Sequence, residues 1–396
     1  MRSFLPIVLS LAPLSALAET ALLDWDSILE EAEGQTVYWH AWGGSTATND
    51  FITWLGDKVE DEYGVTLEHV KLTDTADAVT RVLSEKQAGK DDEGAVDLIW
   101  INGANFASMK EAGLLFGPWS EGIPNADLVA DDEIVASDFG TAVDGLESPW
   151  AKAQFVFMYD SADAEPLQSM DALHDWAAEN PGRFTFPQPP DFLGTTFLKQ
   201  ALVSLVESPS VLQEPVDQHD FEAVTAPLWA YLDSLQPNLW REGQTYPASG
   251  PAQFQLVSDE EIDIAPTLSP SEASTAIANF QLPDSVRTFV PEGGTIGNAS
   301  FVAIPFNSGS KAGAMVVANA ILSPEVQLRQ QDPDVLGYGT VLDMDKLSAD
   351  QAQAFDELEL GIATLGPAEL GPVLPEPHSS WSAAVEEAWI ERYGAD

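Results

Sequence analysis

The chain contains no cysteine. No disulfide can staple it, so its stability must come from a buried core. A bacterial lipoprotein carries its lipid on a cysteine just after the leader, and none exists here, so a freely diffusing protein is expected. Basic residues are scarce: 16 Lys and Arg stand against 64 Asp and Glu, for a formal charge of −48. That balance excludes a nucleic-acid binder, which needs basic patches, and repels anionic lipid surfaces. The five histidines, His40, His69, His174, His219 and His378, fall far apart and form no metal-ligand or triad pattern. No GxSxG, HExxH or P-loop spacing occurs. Beyond the first residues no run of 18 or more apolar residues is long enough to span a membrane. Internal repeats and low-complexity linkers are absent too.

Residues 1–18, MRSFLPIVLSLAPLSALA, join a short positive start at Arg2 to an apolar run broken by Pro13. They end in the small-x-small site Ala16-Leu17-Ala18. This is the pattern of a secretory leader cleaved after Ala18, and the other reading is a short N-terminal anchor. An exported chain without a lipid anchor is useful where an outer membrane confines it, so the periplasm is expected. The mature chain starting at Glu19 loses Arg2 and becomes one unit more negative. With 45% apolar residues and 12 Trp, the acidity does not signal disorder. It reads as a hydrated surface suited to a saline habitat.

From Gln35 onwards the pattern is α/β. Thr36-Val37-Tyr38-Trp39 is a short apolar strand that runs into a Gly43-Gly44-Ser45 turn, and Asn49–Tyr63 follows at helical spacing. Val65–Leu72 alternates as a strand, Ala76–Ala88 is an amphipathic helix, and Val96–Ile101 (VDLIWI) is a strand of the buried parallel kind. This alternation opens a doubly wound sheet. Gln154–Tyr159 is a further buried strand. Arg183–Pro187 and Glu261–Ala265 are expected strands, and the C-terminal third is expected to be mainly helical. The chain is expected to cross between two lobes near Trp150–Gln154 and again near Pro291–Ser300. Two such crossings make a hinge around a cleft.

Four motifs occur in order: TVYWHAWGG, VDLIWINGANF, SPWAKAQFVFMYD and FTFPQPPDFLGTTF, with IGNASFVAIPFNS later. Together with the leader they make the chain similar to bacterial extracellular solute-binding proteins of ABC transporters, in the YnjB-like subgroup. The resemblance implies a periplasmic-binding-protein-like type II fold, with two α/β lobes joined by hinge strands around a central cleft. Residues 19–150 and 300–396 would form the first lobe and 151–299 the second. It also implies a monomer that delivers a small solute to a membrane permease driven by an ATPase subunit, without a cofactor. Distantly similar binding proteins take thiamine, polyamines, sulfate or iron, so the resemblance leaves the ligand's charge open.

Candidate ligand contacts follow from loop positions, because ligands of open α/β sheets lie beyond the carboxyl ends of strands. Gly43, Gly44 and Ser45 can present amide N–H groups to an anion or a polar oxygen, or can be a tight turn with a capping Ser. Asn102 and Asn105 flank Gly103 after the third strand, and one of them can instead cap the next helix. Trp42 and Trp150 can stack on a flat or cationic solute, or pack in the core. Asp191, Thr195 and Thr196 precede or open a helix, where Asp191 can pair with a cation or merely cap. Ser249 opens another helix, and Asn298 and Ser300 lie in the second crossing. These loops are rich in amides, hydroxyls and Trp and nearly free of Arg and Lys, which points to a cationic or neutral polar organic solute; among the ligands the resemblance implies, a thiamine-like one is expected. No catalytic residue and no metal ligand is assigned, since Asp91-Asp92-Glu93 and Asp131-Asp132-Glu133 lack the spacing of a calcium loop. A secreted hydrolase working through carboxylates, or an adhesion module with no small ligand, is the alternative reading. Intact-mass measurement of the exported protein is expected to give a chain that begins at Glu19; retention of residues 1–18 would show an uncleaved anchor instead.

Overall fold

The computed structural model describes residues 24–366 and 369–394; the leader expected over residues 1–18 lies outside the described residues. Helix α1 spans Trp25–Ala32. Strand β1, Thr36–Trp42, buries Val37, Trp39 and Ala41 on alternate positions, as a period of two requires. Helix α2, Thr46–Tyr63, begins where the Ser45 hydroxyl accepts the Thr48 N–H, and it stops at Gly64, whose φ of 66° suits a residue without Cβ. Strand β2 (Thr66–Leu72), α3 (Ala76–Gln87), β3 (Leu98–Ile101) and α4 (Ala104–Glu111) follow. A short helix α5 (Glu133–Ala136) leads into a small hairpin, β4 (Ser137–Asp138) and β5 (Thr141–Ala142), and then β6 (Glu147–Gln154).

The second half begins with β7 (Val156–Asp160), α6 (Met170–Glu179), α7 (Phe192–Leu205) and α8 (Phe221–Leu235). Then come α9 (Gly250–Ser258), β8 (Ile264–Thr267), α10 (Glu272–Ala278), β9 (Val286–Phe289) and β10 (Thr295–Ala303). The chain ends with α11 (Lys311–Ile321), α12 (Pro324–Gln331), α13 (Ala349–Asp356), β11 (Val373–Leu374) and α14 (Ser379–Tyr393). Three expectations shift. The strand expected at Arg183–Pro187 is reduced to a single bridge, Phe184 to Ile264, ahead of a run in which Pro187, Pro189 and Pro190 have no amide donor. The strand expected at Glu261–Ala265 lies at Ile264–Thr267. Most of 357–378 is irregular rather than helical, because Gly361, Gly366, Gly371, Pro372, Pro375 and Pro377 interrupt it.

The larger sheet has the order β11-β10-β3-β1-β2, with β6 also on β10. β1 pairs in parallel with β2 and β3, whereas β10 runs antiparallel to both β3 and β6. The smaller sheet, β8-β7-β9, is antiparallel throughout. Helices α2 and α11 cover one face of the larger sheet around Trp39, Phe51, Trp150 and Val317, and α3 and α4 cover the other around Val82, Ile99, Phe106 and Phe301. Only Phe155 separates β6 in the first sheet from β7 in the second. The second sheet's main core gathers Phe157, Phe197, Leu228, Trp381 and Trp389.

That last pair corrects an expectation. Residues 300–396 are expected in the first lobe, yet α14 packs against α7 and completes the second core. Trp381, Val385 and Trp389 stand four residues apart on one face, and a stripe of that size must be buried. The second core is where α7 and α8 leave room for it.

Two acids in the first lobe are buried without a counter-ion. Glu147 is fully buried, and neither carboxylate oxygen has a hydrogen-bond partner. Asp138 accepts the Gly103 N–H at 2.6 Å through Oδ2, while its Oδ1 has none. Burial, and then the neighbouring carboxyl groups, push both pKa values well above the usual carboxylate range. Lys110 lies near Glu147, but its ammonium is bound to the Ala142 carbonyl and to Asp144.

Two outcomes follow from this packing. A Cβ at Gly194 in the first turn of α7 would run into the Pro187 carbonyl, so Gly194→Ala is expected to lower stability by about 1–3 kcal/mol in urea titrations. A raised carboxyl pKa means that the folded state binds more protons than the unfolded chain. Its stabilising effect is complete below the unfolded pKa and is lost as pH rises through the folded one. Glu147→Gln removes that titration. Relative to the parent, the variant is expected to gain about 1.4 kcal/mol per pH unit across that window, read from urea midpoints at pH 5 and pH 8. An equal difference at both pH values would show that Glu147 is not a buried neutral acid.

Candidate functional site

Because β1, β2 and β3 are parallel, their carboxyl ends at Trp42, Leu72 and Ile101 share one edge of the sheet. The loops 43–45, 73–75 and 102–103 therefore stand side by side. β10 enters antiparallel, so Asn298, Ala299 and Ser300 extend past Ile101 at the same edge. Across from this wall, the antiparallel β7–β8 pair places Thr267 beside Val156 at the crossing, and Leu268 accepts the Gln154 N–H. Loops 187–191 and 246–250 lie together through the Gln188 N–H donated to Pro247. The loops of these two walls are the candidate interlobe site.

The structure places the expected contact residues unevenly. Trp42 is half-buried, meets Trp100 edge-on at 6.5 Å, and folds over Gly44, where any Cβ would strike the indole. Gly43 donates its N–H to Leu72 and accepts from the Asn49 side chain, and the Ser45 hydroxyl caps α2. The turn therefore holds fewer free amides than an anion cradle needs. Asn102 donates to the Ala299 carbonyl at 2.7 Å and ties β3 to β10. Gly103, with φ of 57°, takes the N-cap position of α4. Asn105 is half-buried and makes no hydrogen bond to a described residue.

Asp191 caps α7 by accepting the Leu193 and Gly194 N–H groups, and burial raises its pKa. Ser249 caps α9. Thr195 donates to Glu386 at 2.8 Å, and Asn298 donates to Glu376 at 3.0 Å. Ser300 is half-buried in β10 opposite Ala151. Two expected contacts are withdrawn. Thr196 is fully buried and donates back to the Phe192 carbonyl within its own helix. Trp150 is also fully buried, among Trp39, Phe51, Trp100 and Tyr338. The register of β6 on β10 shifts between Ser300 and Phe301, which leaves Trp150 as the extra residue of a bulge and turns it into the first core.

Other residues at the site were not singled out from the sequence. Lys199 of α7 pairs with Glu376 at 2.7 Å, with both side chains almost wholly buried. The ammonium also lies 4.5 Å from the Phe139 ring centre and 5.4 Å from that of Phe192. Glu386 of α14 is half-buried, and burial raises its pKa, with the Asp74 charge of the first wall adding to the rise. One signal was available: Lys199 is the lone charge in the mostly buried stretch FLGTTFLKQALVSL. A groove of about 720 Å³ between β2 and α3, lined by His40, Arg81, Glu85 and Lys90, lies off the interlobe edge. Its acid is already bound by Arg81 and Asn307, so the interlobe walls are the stronger candidate.

Residues 54–354 match the family described as bacterial extracellular solute-binding protein. Over 388 residues the chain is 43% identical to Protein YnjB of Escherichia coli (strain K12), covering 98% of each. Among solved structures, a putative extracellular solute-binding protein from Bordetella parapertussis superposes with a TM-score of 0.64 at 14% identity, covering 90% of this chain and 98% of that one. The spermidine/putrescine ABC transporter substrate-binding protein PotD from Streptococcus pneumoniae gives 0.62 at 16%, with 91% and 100% covered. The periplasmic binding protein AfuA from Actinobacillus pleuropneumoniae, bound to fructose-6-phosphate, gives 0.62 at 12%, with 91% and 99% covered. These structures share the two-lobed type II fold of periplasmic binding proteins. A parallel sheet edge facing a second α/β lobe across two crossings, together with these matches over nearly the whole chain, places the protein among the bacterial extracellular solute-binding proteins of ABC transporters.

Proposed function

We propose that the chain is the periplasmic component of an ABC importer, capturing a small cationic or neutral polar solute between its lobes and delivering it to the permease. The observation that carries the charge preference is the fate of the buried cation on α7. Lys199 is already neutralised by Glu376, and Lys71, which lies along Gly43, is exposed, whereas Asp74 and Glu386 form no ion pair with a described residue. A solute entering here meets unpaired carboxylates, amide and hydroxyl groups and the Trp42 indole, a set suited to an organic cation. The solved relatives do not decide the matter. PotD is described as a spermidine/putrescine protein and AfuA holds a sugar phosphate.

In this reading residues 1–18 direct export and the mature chain acts as a monomer without a cofactor. The first lobe comprises 24–154 and 297–356, and the second comprises 155–296, 361–366 and 379–394. Closure desolvates the solute's polar contacts and forms the surface that the permease recognises. Chemistry on the solute plays no part.

A thermal-shift screen of ligand-stripped protein tests the reading, with putrescine, choline, thiamine, amino acids, sugars, sulfate and a sugar phosphate. An organic cation or neutral polar solute is expected to raise the midpoint by a few degrees. At about 100 times its dissociation constant a ligand adds roughly 2.7 kcal/mol to native stability. Calorimetry should then give one site per chain. Tight binding of sulfate or sugar phosphate with none of the cations would overturn the charge preference. Conversion of the solute by the purified protein would overturn the carrier role.

A further inference from the structure

The hairpin of β4 and β5 carries a turn residue that its backbone does not favour. Asp138 pairs with Thr141, so Phe139 and Gly140 make a two-residue turn, with φ of 46° and 77°. Turns with both central residues at positive φ favour Asn-Gly or Asp-Gly, and a bulky aromatic at the first position is strained. Such strain persists where surrounding contacts over-determine it.

Those contacts join the two lobes. At its root the hairpin is held in the first lobe, where the Asp138 carboxylate accepts the Gly103 N–H. At its tip the Phe139 ring is 6% exposed and lies against Gly103, where an added Cβ would come within 3.3 Å of it. The other side of the ring meets the second lobe: the Lys199 ammonium at 4.5 Å and the Phe192 ring at 6.2 Å. The Phe139 carbonyl accepts the Ser379 N–H at the start of α14, and Gly140 packs on His378. Lys199 in turn holds Glu376, which accepts from Asn298 on the hinge strand β10. A line of contacts therefore runs from the hairpin tip through a buried ion pair to the hinge.

We infer that Phe139 is a positioning residue for solute capture, a clasp that holds the lobes together by docking on the Lys199–Glu376 pair. The inference rests on the reading of the chain as a solute carrier that opens and closes, but it does not depend on which solute is carried. The clasp explains why a strained aromatic occupies a turn that Asn would fit without penalty. It also explains why the α7 cation is buried under two aromatic rings instead of facing a solute. Opening would expose that ammonium and release Asn298, so the hinge strand and the tip would change together.

The absence of cysteine makes the test direct. Spin labels on Glu60→Cys in the first lobe and Glu179→Cys in the second, both exposed positions, report the interlobe distance by pulsed electron resonance without background. Phe139→Asn keeps the turn and removes the ring. It is expected to shift the distance distribution to longer values in the absence of any solute, with a thermal midpoint no lower than that of the labelled parent. Phe139→Leu keeps apolar volume without an aromatic face, and serves if the Asn variant does not fold; it should give a smaller shift in the same direction. An unchanged distance distribution in both variants, with a lowered midpoint, would make Phe139 an ordinary core residue and overturn the inference. Failure of every solute in the thermal-shift screen would count against the carrier reading and leave this distance measurement standing.

Discussion

The antiparallel pairing of β6 with β10 is the constraint on which the rest depends. From Glu147–Ala303 to Gln154–Gly297, these two strands are hydrogen-bonded to one another while each leads into the second lobe. Two strands crossing side by side between the lobes form the kind of connection that can serve as a hinge. The same pairing sets the site. It brings Asn298 and Ser300 past the carboxyl end of β3, and its bulge turns Trp150 away from solvent into the first core. Gln327 and Gln330 then both donate to the Trp150 carbonyl, which fixes α12 to the bulge.

The charge distribution is consistent with that design. A surface carrying most of 64 acidic residues stays hydrated and self-repelling, so the lobes must be held by specific contacts, not by general attraction. Within the described residues those contacts include the aromatic clasp, the buried Lys199–Glu376 pair, α4 against α14, and Ser269 and Thr275 bonded to the segment 333–337. A buried ion pair contributes little net stability once desolvation is counted, but it is costly to leave half-made. That asymmetry suits an element that must be either fully docked or fully solvated.

Much of the fold was legible in the sequence for a simple reason. Buried strands such as VDLIWI and QFVFMY are apolar on both faces, and Gly-rich or Asn-rich loops mark their ends. What escaped was long-range. Lys199 and Glu376 lie 177 residues apart, and nothing local in PVLPEPH announces that its Glu is buried. The placement of α14 was readable from the Trp381, Val385 and Trp389 stripe, but a stripe tells only that a face is buried, not against which lobe. The hairpin at 137–142 escaped because Phe-Gly is not the turn signal of a two-residue loop; its residues follow the needs of the other lobe, not those of the turn.

The candidate site contracts for a related reason. Small polar residues at strand-to-helix junctions are doubly attractive, as ligand donors and as helix caps, and the sequence does not separate the roles. In the structure the caps prevail at Ser45, Asp191 and Ser249, and Asn102 is spent on a β10 carbonyl. An orphan N–H at a helix start is present in every state of the protein, whereas a solute is present only when bound, so a nearby hydroxyl or carboxylate is taken by the backbone first. The groups with capacity left are those that cap nothing: Asn105, Ser300, the Trp42 face and the second oxygen of Glu386. On the proposed reading, recognition rests less on oriented amides than on an aromatic surface and unpaired negative charge, and that combination discriminates by the sign of the solute's charge before it discriminates by shape.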